Sequence, residues 1–363
     1  MRKLWTFRCI ALVLCMALAF AALEIFCRIR YRPHTPSGWD LVNRMEAHPY
    51  TMLHYHKNVH SAEVNTNNLG YRATADYPLY PMDAPPKDRF TVVLLGGSAA
   101  FGAKSDNDRS TIAADLEKDL SRTRPTRVVN LAMGGYGSFA ELIAFTRYGL
   151  LFQPDVVITM DGYNDAVALI YPNSREQPGD PIQYNSVAKA VAAYWPYGFR
   201  FTDDYYLAFL LKQSALLRRL AMAEYTSWDN VPGEKERRSR ITAITAAQAD
   251  RLVDSYQHAQ TQLVRVAAAN GVKTIIATQP LRDYPGVVEE PWRQELFKIY
   301  PRLIETARQT AEREHAAAYV DLTQFFPPPN AQTFADTVHL TSPGQAIIAQ
   351  KLASAVEKYI FHN

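Results

Sequence analysis

Three side chains in this 363-residue chain have the types and spacing of a nucleophile, a base and an orienting carboxylate. Asp336 stands three residues before His339 in Asp336-Thr337-Val338-His339, so one turn can carry both a general base and the group that fixes its tautomer. Ser98 follows Gly96-Gly97 at the end of the apolar run FTVVLLGG, where a strand end exposes a hydroxyl. Taken alone, a serine after two glycines reads as a turn residue. The small neighbours Ala99, Ala100 and Gly102, however, leave space for a carbonyl to reach it. In that chemistry His339 takes the Ser98 proton and Asp336 stabilises the charged imidazole. The tetrahedral oxyanion then needs donors, for which the candidates are the backbone N–H groups of Ser98 and Gly135 and the side-chain amide of Asn164.

Groups so far apart in sequence need a framework that gathers them, and the pattern from Phe90 onward supplies one. Short apolar strands (FTVVLLGG, RVVNLAMGG, DVVITMDG, KTIIATQ, AAYVDL) alternate with amphipathic helices (TIAADLEKDLSR, FAELIAFTRYGLL, AQADRLVDSYQHAQTQLVRVAAAN, PRLIETARQTAEREHA, GQAIIAQKLASAVEKYI). Gly271 provides the stop of the third helix. Alternation at these lengths predicts a parallel sheet with helices on both faces, whose ligands bind beyond the carboxyl ends of the strands. Ser98, Gly135 and Asn164 each fall just past such an end. The expected domain runs over 90–363, with the helix after the first strand beginning near Ser110 and an insertion over 171–240. That insertion holds YWPYGFRF and DDYYLAFLLKQSALLRRLAMAEY. It is open to two readings, a lid or groove over the site, or a helical hairpin with its own small core.

The 48% hydrophobic content is enough to fill a core and excludes a disordered chain. The formal charge of +3 is uneven: residues 1–32 carry +5, from Arg2, Lys3, Arg8, Arg28, Arg30 and Arg32 against Glu24, leaving −2 for the rest. A basic field for nucleic acid is therefore not expected. The excess brackets the apolar segment 9–27, CIALVLCMALAFAALEIFC, which has the length of a membrane-spanning helix, behind a short basic flank at 1–8. It is either an anchor or a cleaved signal. Its length, and its end in Glu24 and Arg28 in place of a polar Ala-x-Ala site, favour the anchor. All three cysteines lie in this segment, so the remainder of the chain uses no disulfide or thiolate chemistry. Residues 33–89, rich in Pro, Tyr, His and Asn, read as a lead-in that wraps over a domain.

The strings GGSAAFG (96–102), NLAMGGYG (130–137), DGYND (161–165) and DTVHLTSPGQ (336–345) resemble, in order and rough separation, the four informative blocks of the SGNH/GDSL hydrolases. NTNNLGYR (65–72) is similar to the Asn-x-x-Gly-aromatic-Arg lead-in of the membrane-anchored bacterial branch of that family. The resemblance spans about residues 60 to 358. It implies a flavodoxin-like three-layer α/β/α fold with a parallel sheet of order 2-1-3-4-5, preceded by a transmembrane helix. It also implies a nucleophile Ser98, oxyanion residues Gly135 and Asn164, and catalytic Asp336 and His339. One departure stands out. The family's Gly-Asp-Ser is here Gly96-Gly97-Ser98, so position 97 has no carboxylate to brace the nucleophile loop.

The rival readings are weaker. The α/β-hydrolase elbow is Gly-x-Ser-x-Gly, with Asp and His on separate strand ends, which a three-residue spacing forbids. A metal site on His54, His56, His60 and Glu63 has no supporting Cys or further His cluster, and reads better as a solvated aromatic-rich segment. A dinucleotide site lacks Gly-x-Gly-x-x-Gly. The expectation is a cofactor-free and metal-free serine hydrolase of carboxylic (O-acyl) esters. Its partners are an acylated small molecule or glycan and, through its N-terminal helix, a bacterial cell membrane, with the catalytic domain periplasmic or extracellular. The alternatives are an acyltransferase on a cell-envelope glycan and a lipid acyl esterase.

Overall fold

The computed structural model describes residues 2–30, 38, 42, 46–48, 50–72, 87–167, 216, 243–328 and 330–362. The chain divides into two compact units, one made of 1–36 with 192–236 and the other of 37–191 with 237–363. In the first, helix α1 (Arg2–Arg30) contains the segment Trp5–Arg30, long and apolar enough to cross a membrane. At 29 residues it is about 43 Å long, which exceeds the ~30 Å hydrocarbon thickness of a bilayer. Within it Glu24 is bridged to Arg28 one turn on, at 2.8 Å. The expected insertion at 171–240 lies, but for Leu216, outside the described residues.

The second unit opens with a small antiparallel pair, β1 (Glu46–His48) and β2 (Met52–His54). The main sheet is built from β3 (Phe90–Gly96), β4 (Thr126–Asn130), β5 (Val156–Asp161), β6 (Lys273–Thr278) and β7 (Ala318–Asp321). Its order is β4-β3-β5-β6-β7 and every pairing is parallel, the 2-1-3-4-5 arrangement that the family resemblance implies. All residues of β3, β4 and β5 are buried, as strands covered on both faces must be. Because β4 and β5 lie on opposite sides of β3, the chain winds away from β3 in two directions. The crevice at the carboxyl end of β3 is the topological switch point where such sheets hold ligands.

The helices are α2 (Ser98–Phe101), α3 (Ile112–Leu120), α4 (Ser138–Arg147), α5 (Tyr163–Val167), α6 (Ala246–Ala269), α7 (Pro291–Arg313) and α8 (Ser342–Val356). α3 packs on α8, while α4, α6 and α7 pack side by side, so helices layer both faces of the sheet. Two differences from the sequence expectation have local causes. Helix α2 begins at Ser98 itself, ahead of the helix expected near Ser110. α7 starts ten residues before Pro301, because Pro291 takes the first helical position and Pro301 sits in the interior. There its ring removes the N–H that would bond to the Phe297 carbonyl.

The lead-in joins the core. Tyr55, Val59, Val64 and Tyr71 pack into the same buried cluster as the side chains of β3 and β4. The His48 and His54 rings stack at 3.9 Å, with His48 bonded to the Thr51 and Tyr148 hydroxyls at 2.9 and 2.8 Å. Burial lowers the His48 pKa to about 4 and that of His54 to about 3, so both are neutral packing groups at pH 7. His54 is thus turned into a ring stack, and among the described residues no group of His, Cys, Asp or Glu is placed to hold a metal.

Candidate active site

The strand-to-helix turn after β3 is shaped by glycines. Gly96 has φ +152°, and a Cβ there would lie 2.5 Å from Ala100 Cβ and 2.7 Å from the Met160 carbonyl oxygen. Gly97 caps α2, so Ser98 is the first helical residue, with Ala99, Ala100 and Phe101 buried beneath it. Gly102 ends the helix in the left-handed region at φ +90°. The Ala103 N–H then donates back to the Ser98 carbonyl at 2.9 Å.

The second part of the site is the turn before α8. The Asp336 Oδ1 accepts the backbone N–H groups of Val338 and His339 at 3.0 and 2.8 Å, which leaves Oδ2 to meet His339 Nδ1 at 2.7 Å. His339 Nε2 lies 2.8 Å from the Ser98 Oγ. If Nδ1 donates to the carboxylate, Nε2 presents a lone pair to the hydroxyl. Burial of the Asp336 carboxyl opposes its charge. The His339 hydrogen bond and charge and the two backbone N–H groups outweigh that and hold it well below the usual carboxylate range. The turn is secured on both sides. Arg282 N–H donates to the Thr337 carbonyl at 2.9 Å. Gln345, fully buried, accepts the Ile112 N–H at the start of α3 and donates to the Leu340 carbonyl beside His339.

The third part is a pair of loops past β4 and β5. Gly135 has φ +83°, a conformation other residues resist, and nothing lies within 4 Å of where its Cβ would be. The Asn164 Nδ2 donates to the Tyr136 carbonyl at 2.6 Å. The neighbouring Asp165 Oδ1 accepts the Ser138 N–H and hydroxyl at 3.0 and 2.7 Å, so consecutive residues of α5 pin the glycine loop. Position 97 meets the same amide: a Cβ on Gly97 would lie 2.3 Å from Asn164 Nδ2. The missing side chain is what lets Asn164 reach across to the turn that carries Ser98. Among the described residues the backbone N–H groups of Ser98 and Gly135 have no acceptor. An arrangement of hydroxyl, imidazole and carboxylate beside free N–H donors can add the hydroxyl to a carbonyl and hold the resulting oxyanion.

Sequence reasoning missed the layer below. Asp161, at the end of β5, accepts the Tyr256 hydroxyl at 2.5 Å and the Gln260 amide. Glu141 on α4 is fully buried, and neither of its carboxyl oxygens has a partner among the described residues. Burial raises the pKa of Glu141, Asp161 and Asp165. Strand-end Asp161 directly before Gly162 was the one signal available; nothing in the polarity of α4 marks Glu141 as an inward residue.

The pattern of the GDSL-like lipase/acylhydrolase family matches residues 94–347. No curated protein matches the chain. Among solved structures, the chain is similar to a psychrotrophic esterase of Pseudoalteromonas sp., with 12% identity over 75% of this chain and 99% of that one and a TM-score of 0.44. It is also similar to a lipase/acylhydrolase of Enterococcus faecalis (14% identity, 74% and 96% covered, TM-score 0.44) and to an acetyl xylan esterase (14% identity, 74% and 100% covered, TM-score 0.41). A family pattern that runs from the strand before Ser98 to the helix after His339 takes in all three parts of the site, and the chain belongs to the GDSL-like lipase/acylhydrolase family.

Proposed function

We propose that the protein is a serine-dependent hydrolase of O-acyl esters that works without a cofactor or metal, with Ser98, His339 and Asp336 as its triad. The observation that carries this reading is the unbroken hydrogen-bonded line from Ser98 Oγ through His339 to Asp336. Ser98 Oγ adds to the acyl carbon as its proton passes to His339 Nε2. The oxyanion is met by the N–H groups of Ser98 and Gly135 and the second N–H of the Asn164 amide. Collapse expels the alcohol, which leaves with the proton from His339. Water then repeats the cycle on the acyl-enzyme and releases the carboxylic acid.

The substrate is a small O-acyl group, acetyl first, on a carbohydrate or similarly polar envelope molecule. In support, the residues that follow Ser98 in sequence, Ala99, Ala100 and Gly102, are small and form no long apolar stripe, and the 171–240 stretch is rich in Tyr and Trp, rings that pack on sugar faces. The expected result is a higher kcat/KM for acetyl than for octanoyl or longer aryl esters; preference for the long chains overturns it in favour of a lipid acyl esterase. Adding a glycan acceptor and finding acetyl diverted from water to sugar would replace hydrolysis by transfer.

The site is held at an envelope membrane by α1, in a single pass, with the domain outside the cytoplasm. The full-length chain is then expected to stay with membranes after a carbonate wash. Its recovery in the soluble fraction with an N-terminus near residue 23 would make the segment a cleaved signal.

A further inference from the structure

The nucleophile loop lacks the carboxylate that the resemblance leads one to expect at position 97, yet its far end is firmly held from outside the domain pattern. The hold is Arg72. Its side chain is only 1% exposed, and its three nitrogens point three ways: Nε to Asp108 Oδ1 at 2.6 Å, Nη1 to the Gly102 carbonyl at 2.6 Å and Nη2 to the Glu63 carbonyl at 2.9 Å. The guanidinium also lies over the Phe101 ring, 5.6 Å from its centre. Phe101 and Gly102 are the last residue and the cap of the four-residue helix that starts at Ser98. A helix that short has no stability of its own, so whatever fixes its cap fixes Ser98.

The lead-in sequence is built to deliver this arginine. Asn67 Oδ1 accepts the Leu69 and Tyr71 N–H groups at 2.9 and 3.1 Å and closes a tight turn. Gly70, at φ +84°, permits it, since a Cβ there would lie 2.2 Å from the Tyr55 carbonyl oxygen. Tyr71 is buried and Arg72 follows into the domain, which gives Asn67, Gly70, Tyr71 and Arg72 of NTNNLGYR each a physical task. Asp108 is in turn oriented by Asn65, whose Nδ2 donates to Oδ2 at 2.6 Å. The same strap reaches the glycine loop. Tyr55 N–H meets Met133 Sδ at 3.1 Å, the Tyr55 ring packs on Phe101 at 4.5 Å, and its hydroxyl fills the space a side chain at Gly134 would need.

We infer that Arg72, with Asp108, is a positioning residue for Ser98: the lead-in braces the nucleophile helix from its cap in place of the carboxylate absent at position 97. A charge-assisted, three-way guanidinium is suited to this, because it sets direction as well as distance, which a lysine ammonium cannot reproduce. The inference rests on the reading of Ser98 as nucleophile.

The test uses the full-length protein in detergent micelles, with active sites counted by a fluorophosphonate probe and turnover expressed per labelled site. Arg72→Lys keeps the charge and loses the fork; Asp108→Asn keeps the shape and loses the charge, and being at the rim of the cluster it is the variant more certain to fold. Both are expected to lower kcat per labelled site and the rate of probe labelling together, by of order tenfold to a hundredfold, with KM within about twofold of wild type, as a small misplacement of a nucleophile does. Wild-type kcat per labelled site in both variants, with or without a lower melting temperature, overturns the inference and makes the strap a stabiliser of the fold alone. Failure of the wild-type protein to label would instead remove the nucleophile assignment itself.

Discussion

Ser98→Ala is expected to lower ester turnover by roughly a thousandfold or more and to abolish fluorophosphonate labelling, with no loss of folded protein. The fold should survive because the Ser98 hydroxyl bonds to His339 and caps nothing: Gly97 caps α2 without a side chain, and the helix is closed by the Ser98 carbonyl. His339→Ala and Asp336→Ala should each fall as far, and the triple replacement scarcely further, since the three act as one unit. Asp336 has a second duty, as its Oδ1 holds the Val338 and His339 N–H groups that shape the turn. Asp336→Asn therefore separates the roles. With its oxygen in the place of Oδ1 an amide can keep both backbone bonds, but it turns an N–H toward Nδ1 and so favours the tautomer that cannot accept the Ser98 proton. Full labelling of Ser98→Ala, or Asp336→Asn at wild-type rate, would sink the triad.

Much of this architecture was legible in sequence because it is written in periodicity. Five apolar runs separated by amphipathic helices predict a parallel sheet, and the observed order of β4, β3, β5, β6 and β7 matches the flavodoxin-like expectation. The residues that the blocks singled out arrive where a sheet of that order puts its carboxyl edge. What periodicity cannot carry was missed. Helix α2 is one turn long and leaves no repeat to read. The start of α7 was misplaced because Pro301 resembles a first-turn proline, a role that Pro291 already fills. The lead-in works through single residues, Tyr55, Asn67, Gly70 and Arg72, each set by a turn or one long-range contact. A segment without a hydrophobic rhythm therefore hides how deeply it is buried. Glu141 was missed for the opposite reason: a carboxyl in an amphipathic pattern reads as solvent-facing, and only the fold turns it inward.

Asn164→Ala should lower kcat by of order a hundredfold and leave KM nearly unchanged, because in the proposed mechanism its amide meets charge that exists only in the transition state. The geometry gives this donor unusual leverage. One N–H of the amide is already spent on the Tyr136 carbonyl at 2.6 Å, so the side chain is oriented before any substrate arrives and the other N–H needs no reorganisation to meet an oxyanion. Tyr136 follows Gly135, so the same bond sets the side-chain donor and the backbone donor of Gly135 against each other. Asn164→Asp should be at least as damaging, since a carboxylate there repels the developing charge. Gly97 provides an independent check. A methyl at that position would lie 2.3 Å from Asn164 Nδ2, so Gly97→Ala must push the amide aside and is expected to lower kcat as well. In an Asn164→Ala background the amide is gone and the added methyl should cost little more, giving a strongly non-additive cycle. Additive losses would mean that Gly97 acts through the backbone turn alone. A raised KM at constant kcat in Asn164→Ala would move the residue from oxyanion stabilisation to ground-state binding.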